Sequence, residues 1–439
     1  MRKLLLLLLM PYALYLVPLS ARAELKIDII AGNVAPIPVA VQEFESAPAN
    51  KKLAGQLRDV VVADLKSTGL FRMINRDAYP EHVKLDEMPN FADWAAIRAQ
   101  VLVQGRLTEI DGGKLRLEFY VWDIAGKEQI EAQSLTASVS SARRLGHIMA
   151  DGIYERLTGE VGYFDTQIIF IAETGAPDAR VQRMAIMDSD GYNFRYMSDG
   201  ADMVMSPHFS PNMQTVVFLS YHNNDPMVWS LDMNTGDQRR LGKFGGMTFA
   251  PRFSPDGSKI ALSLAKGDAV NLYEYDIASR KLRQLTFGDY IDTSPSYSPD
   301  GSKIAFNSNR SGTQQIHLLN MADLTQKRLT YGAGRYATPA WNPRGDYIAF
   351  TKISDDTFYI GIMTDAGKNE KILASGWFLE NPNWAPGGRR LVYYTTDKVS
   401  NTDRASHIRS VDINGMNDYE IKLPDGLSGT EPTWSPRLP

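Results

Sequence analysis

The 439-residue sequence contains no cysteine. A disulfide framework is therefore excluded, and so is attachment to a membrane through a lipidated amino-terminal cysteine. An excess of either charge is missing as well. The 47 Lys and Arg residues stand against 51 Asp and Glu, a formal net charge of −4. That balance gives no electrostatic reason to bind DNA, RNA or an acidic lipid surface. Beyond Leu4–Leu19, no apolar run is long enough to span a bilayer. Catalytic signatures are equally scarce. No G-x-S-x-G elbow exists, and the nearest string, Gly426-Leu427-Ser428-Gly429, has the wrong spacing. Gly112-Gly113-Lys114 lacks the upstream glycine of a phosphate-binding loop and reads as a hairpin turn. Asp188-Ser189-Asp190-Gly191 opens like a calcium loop without its distal glutamate ligand. The six histidines, His82, His147, His208, His222, His317 and His407, form no ligand pair at motif spacing. The sequence therefore predicts no catalytic residue, no metal ligand and no cofactor.

What is present begins at the amino terminus. Arg2 and Lys3 precede the apolar run, and Ala21-Arg22-Ala23 forms a small-x-small site before Glu24. This is the pattern of a secretory signal peptide, residues 1–23. Export of a chain without thiols suits the bacterial periplasm.

A repeat then decides the fold. The pattern is proline, any residue, an aromatic, a small or polar residue, proline, a turn and an apolar strand. It stands as SPHFSPNMQTVVF (206–218), APRFSPDGSKIAL (250–262), SPSYSPDGSKIAF (294–306), TPAWNPRGDYIAF (338–350), NPNWAPGGRRLVY (381–393) and EPTWSPRLP (431–439). The first prolines, Pro207, Pro251, Pro295, Pro339, Pro382 and Pro432, are separated by 44, 44, 44, 43 and 50 residues. Each unit reads as four short strands punctuated by turn residues, the period of a propeller blade. The sixth copy supplies one strand before the chain ends. Its missing partners match stretches near Ile168–Ile171, Arg183–Met187 and Asn193–Met197, so both ends of the domain should build the last blade. The fold class expected is mainly β: a six-bladed β-propeller over 161–439.

Residues 24–160 lack the repeat and read as a smaller α/β domain. Leu53, Leu57, Val60, Val61 and Leu65 lie at helical spacing before Gly69. Strands are expected at 38–44 and 71–74, and a short helix around Trp94. A hairpin should turn at Asp111-Gly112-Gly113, and a last helix should carry Leu145, Ile148, Met149, Ile153 and Leu157. The loops before each first proline gather at one end of the propeller channel. They interleave Met, Phe, Tyr and Trp with Asp, Thr and Arg, the composition of a protein-binding rim.

Several stretches carry a family resemblance: Glu24-Leu25-Lys26-Ile27-Asp28-Ile29, Asp64-Leu65-Lys66-Ser67-Thr68-Gly69-Leu70-Phe71, the junction from Leu157-Thr158-Gly159 to Phe164-Asp165-Thr166, and the repeats. Over nearly its whole length the chain resembles the TolB family, the periplasmic component of the Tol–Pal envelope system. The resemblance implies a non-enzymatic protein that supports outer-membrane integrity and envelope constriction during division, and a monomer is expected. Its propeller face would bind the outer-membrane lipoprotein Pal, with other outer-membrane lipoproteins or porins as further partners. Its mature amino terminus would bind TolA; nucleic acid and membrane insertion play no part. On this chain the TolA segment would be Glu24, Leu25, Lys26, Ile27, Asp28, Ile29 and Ile30, within an extended stretch 24–35. The Pal face would include Met205, His208, Met247, Thr248, Phe249, Asp292, Thr293, Tyr336, Phe378 and Glu380. Met247 departs from the family, which often carries histidine there. An alternative reading of the same residues is a periplasmic propeller that binds a small ligand or assists a hydrolase.

Overall fold

The computed structural model describes residues 35–176, 178–222, 225–398 and 404–438. The expected signal peptide and the segment Glu24–Ile30 lie outside the described residues.

The amino-terminal domain is one sheet covered by three helices, α1 (Lys51–Ser67), α2 (Phe91–Ala96) and α3 (Ala142–Thr158). The strands run in the order Phe71–Met73, Ile37–Val41, Val101–Ile110, Lys114–Asp123, Glu128–Ser138, with Glu45–Ser46 beside Val101–Ile110. The apolar stripes of α1 (Leu57, Val61, Leu65) and α3 (Leu145, Met149, Ile153, Leu157) bury against Val39, Val103, Leu117 and Phe119. The opposite face of the sheet packs Leu102 and Trp122 against Trp94 of α2. The third hairpin strand, Glu128–Ser138, is a finding that the sequence did not announce. Its residues alternate between half-buried and exposed and include few β-branched side chains.

The remaining strands form six four-stranded antiparallel sheets. Five are sequential: Val204–Arg240, Met247–Gln284, Asp292–Arg328, Arg335–Gly376 and Leu379–Glu420 bound them. The sixth joins Ser428–Trp434 to Gln167–Thr174, Val181–Asp188 and Arg195–Tyr196. Thr433 pairs with Ile169 and Trp434 with Ile168, so the two ends of the propeller close it as expected. Closure pairs edges that would otherwise stand open.

The repeated proline motif has two structural causes. In Ser254-Pro255-Asp256-Gly257 the Gly257 N–H donates to Ser254 O at 2.9 Å, and Gly257 has φ +71°. Ser254 Oγ, Ser258 N and Ser258 Oγ all donate to the Asp256 carboxylate, at 2.5, 3.1 and 2.7 Å. The Ser254 hydroxyl, then Ser258, hold that carboxyl down to about 2. The same set recurs at Asp300. The second cause lies one residue before each first proline. Ser206, Ala250, Ser294, Thr338, Asn381 and Glu431 all have φ between +43° and +60°. Each sits in a bulge where the pairing of the innermost strand slips. None of the six is glycine, so every blade carries left-handed strain at the channel wall. An Ala in this region costs about 1–2 kcal/mol, and a glycine adds about 0.4–1 kcal/mol of unfolded-state entropy. Ala250→Gly should therefore stabilise the protein by roughly 0.5–1 kcal/mol. Urea unfolding would show it as a raised midpoint at unchanged slope.

The amino-terminal domain sits on the propeller face that carries the Ser-Pro turns. Tyr154, Tyr163, Phe164 and Trp434 stack edge-on across the junction, and one apolar cluster runs through both domains. Asn417 Nδ2 donates to Thr68 O at 2.8 Å. Gly69, at φ +69°, admits that asparagine, since a Cβ there would lie 2.1 Å from it. Ion pairs Arg344–Glu160, Arg143–Asp190, Arg144–Asp165 (2.9 Å) and Arg437–Glu155 (2.6 Å) ring the contact. Among the described residues the opposite propeller face is free of the amino-terminal domain.

Candidate functional site

The free face is formed by loops that lead into each innermost strand. On it stand Met203, Met247, Tyr290, Ile291 and Trp377, all exposed, with Trp377 at 48%. Large apolar side chains gathered on one face are the unusual feature, since scattered ones are ordinary.

The predicted rim positions divide into two layers. Met247 is exposed, while Met205, Phe249, Thr293, Phe378 and Glu380 are half-buried. Thr248, Asp292 and Tyr336 are buried and act from beneath. Thr248 Oγ1 donates to Pro226 O at 3.3 Å, fixing the neighbouring loop. Asp292 accepts from Arg310 Nη2 at 2.6 Å, and that guanidinium lies 5.0 Å from the Tyr290 ring centroid. A buried carboxylate thus sets the arginine that orients an exposed tyrosine. Thr293 Oγ1 accepts from Asn307 Nδ2 at 2.6 Å. Tyr336 donates to Glu370 at 2.7 Å, and Lys352 pairs with the same carboxylate. Phe378 packs against Phe358 at 4.8 Å between centroids and supports Trp377. Burial raises the Glu380 carboxyl, which accepts from Tyr394 Oη at 3.2 Å.

His208 is placed differently from the rest. It lies past the bulge, inside the channel, with Nε2 3.5 Å from Asn383 Nδ2. Burial, reinforced by the charge of Arg252, holds its imidazole well below the usual value, so it is neutral. Sequence reasoning missed Arg310 and Arg404. Arg310 ends the second strand of its blade, and Arg404 lies 5.0 Å from the Trp377 ring. Both come from a neighbouring hairpin, and no local pattern in the sequence announces that return.

Among the described residues one group could hold a cation. Asp64 of α1, His147 of α3 and Asp190 of the propeller bring ligand atoms within 4.8 Å of one another. Arg143 already pairs with Asp190, and His147 Nδ1 lies 2.7 Å from Asp64 Oδ2. With His147 protonated, two cations face two carboxylates, and the charge is balanced by the chain itself. The arrangement joins the two domains electrostatically. The predicted turn at Asp188–Gly191 supplies its propeller half, with Gly191 N donating to Asp188 O at 2.9 Å.

Two family comparisons match the two domains in order. Residues 25–130 match the TolB amino-terminal domain and residues 154–438 the TolB beta propeller domain. The Tol-Pal system protein TolB of Paramagnetospirillum magneticum is 54% identical over 425 residues, covering 96% of this chain and 95% of that protein. The crystal structure of TolB from Acinetobacter baumannii gives a TM-score of 0.80 at 22% identity, covering 92% of this chain and 98% of that one. At that identity it supports the fold alone. With both domains matched in order and more than half the residues shared along nearly the whole chain, the protein belongs to the TolB family of Tol–Pal system components.

Proposed function

We propose that the protein is a non-enzymatic periplasmic adaptor that binds two envelope proteins at separate sites. The free propeller face binds the lipoprotein Pal, and residues 24–35 bind TolA. By holding both, the protein supports outer-membrane integrity and constriction at division. The observation that carries this reading is the exposed rim of Met203, Met247, Tyr290, Ile291 and Trp377 on the face away from the amino-terminal domain. Aromatic anchors held by arginines and buried carboxylates are what a protein partner can grip. The amino-terminal stretch Glu24-Leu25-Lys26-Ile27-Asp28-Ile29-Ile30 alternates like a strand and could extend a partner's sheet.

The test is a crossed binding experiment with purified Pal and TolA. Deleting residues 24–35 should abolish TolA binding and leave Pal affinity unchanged. Trp377→Ala should weaken Pal by about 2 kcal/mol, roughly thirtyfold, and leave TolA unchanged. If both changes weakened the same partner, the two-site reading would be wrong.

A further inference from the structure

The channel opens at its other mouth, among the Ser-Pro turns, into a cavity of about 410 Å³. Its walls are aromatic and prolyl, with Phe253, Tyr297, Trp341 and Trp384 among them. No aspartate or glutamate lines it, and Arg252 is its one permanently charged wall group. Arg252 Nη1 donates to the adjacent Pro251 O at 2.9 Å, and no ion pair is formed with it among the described residues. Burial pulls its pKa down to about 10, opposed by Glu431. Glu431 is not part of the cavity wall and accepts instead from Ser206 N. A half-buried guanidinium whose answering charge, Glu431, lies outside the cavity wall is an incomplete arrangement. Three other polar wall groups keep a donor free. Ser294 and Asn381 line the cavity and make no side-chain hydrogen bond among the described residues. Ser296 Oγ accepts from Trp341 N at 2.9 Å, which leaves its own hydrogen available. The wall thus offers free donors, lacks carboxylates and carries one positive charge whose answering carboxylate, Glu431, lies outside it.

We propose that this mouth of the channel binds a small carboxylic acid with a flat apolar body. The carboxylate forks onto Arg252, Ser294, Ser296 and Asn381 supply further donors on the same cavity wall, and the body lies against the tryptophans. The site lies at the opposite mouth from the partner rim and does not depend on the adaptor reading.

The experiment is a calorimetric titration of the mature full-length protein with benzoate and with benzamide, its neutral isostere. Benzoate should bind saturably and at least about tenfold tighter than benzamide, the usual worth of a charge-assisted fork. Arg252→Gln should remove that difference by weakening benzoate alone. Asn381→Asp, which sets a competing carboxylate in the wall of the same cavity at a backbone position aspartate tolerates, should weaken benzoate in the same way. The absence of saturable benzoate binding, equal affinity for the two probes, or benzoate binding undiminished by either substitution would overturn the proposal.

Discussion

Trp434→Ala is expected to lower folding stability by about 3–5 kcal/mol, the cost of deleting a fully packed aromatic. The residue joins three parts of the molecule. Its backbone N–H donates to Asn383 Oδ1 at 2.8 Å and links the fifth blade to the sixth. Its Nε1 donates to Thr166 Oγ1 at 2.7 Å, on the segment that enters the first strand after the domain junction. Its ring meets Tyr163 edge-on at 5.9 Å, in the cluster shared by both domains. Alanine would open a cavity where the last strand closes the ring, and the closing pairs to Ile168 and Ile169 would lose their cover. Trp434→Phe keeps the packing and loses the Thr166 hydrogen bond, so it should cost about 1–2 kcal/mol. Denaturant unfolding of the two variants measures both. Equal small effects would mean that closure depends on the strand pairing alone.

The second large effect is a loss of stability in mild alkali. His147 is almost fully buried between Asp64 on its own domain and Asp190 on the propeller. Burial alone would lower its pKa, but the Asp64 charge and hydrogen bond, then Asp190, raise it to about 9; Arg143 opposes them weakly. Asp188 lies within reach of the same field. Burial also raises Asp64, so the two partners' shifts pull in opposite senses. The histidine's direction prevails, because two carboxylates face one imidazole, Asp64 at 2.7 Å and Asp190 at 3.8 Å. A group raised above its unfolded value of 6.5 contributes stability that is fully present below that pH. The contribution fades as pH rises through about 9. The loss across that window is on the order of 3 kcal/mol. His147→Gln should flatten the profile there. A wild-type profile already flat between pH 6.5 and 9 would show that the imidazole is neutral in the fold.

Much of this architecture could be read from spacing. The proline period fixed six blades, and the truncated sixth copy placed the partners of Trp434 near Ile168 before any pairing was known. Apolar periodicity located α1 and α3, with Gly69 beyond the end of α1. Three things were hidden. The strand Glu128–Ser138 has a mostly polar sequence, and its place follows from the hairpin beside it rather than from its own pattern. The left-handed residues before the prolines include Thr338 and Ala250, types that local propensity would never put there; tertiary closure forces them. The layering of the rim was hidden too. Asp292 and Tyr336 look like surface loop residues, yet they are buried, with Arg310 of the adjacent strand and Glu370, just before the blade's outermost strand, pairing with them. Charge pairs between distant segments leave no periodic trace, which is also why the Asp64–His147–Asp190 group could not be seen in the histidine spacing.

Amide hydrogen exchange of the protein with and without saturating Pal locates the proposed partner face most directly. New protection is expected in 203–205, 247–249, 290–293 and 377–380, and none in the Ser-Pro turns at 211–213, 255–258 and 299–302, on the opposite face. Protection appearing at those turns, with the rim loops unchanged, would place the partner on the wrong side of the propeller and contradict that placement.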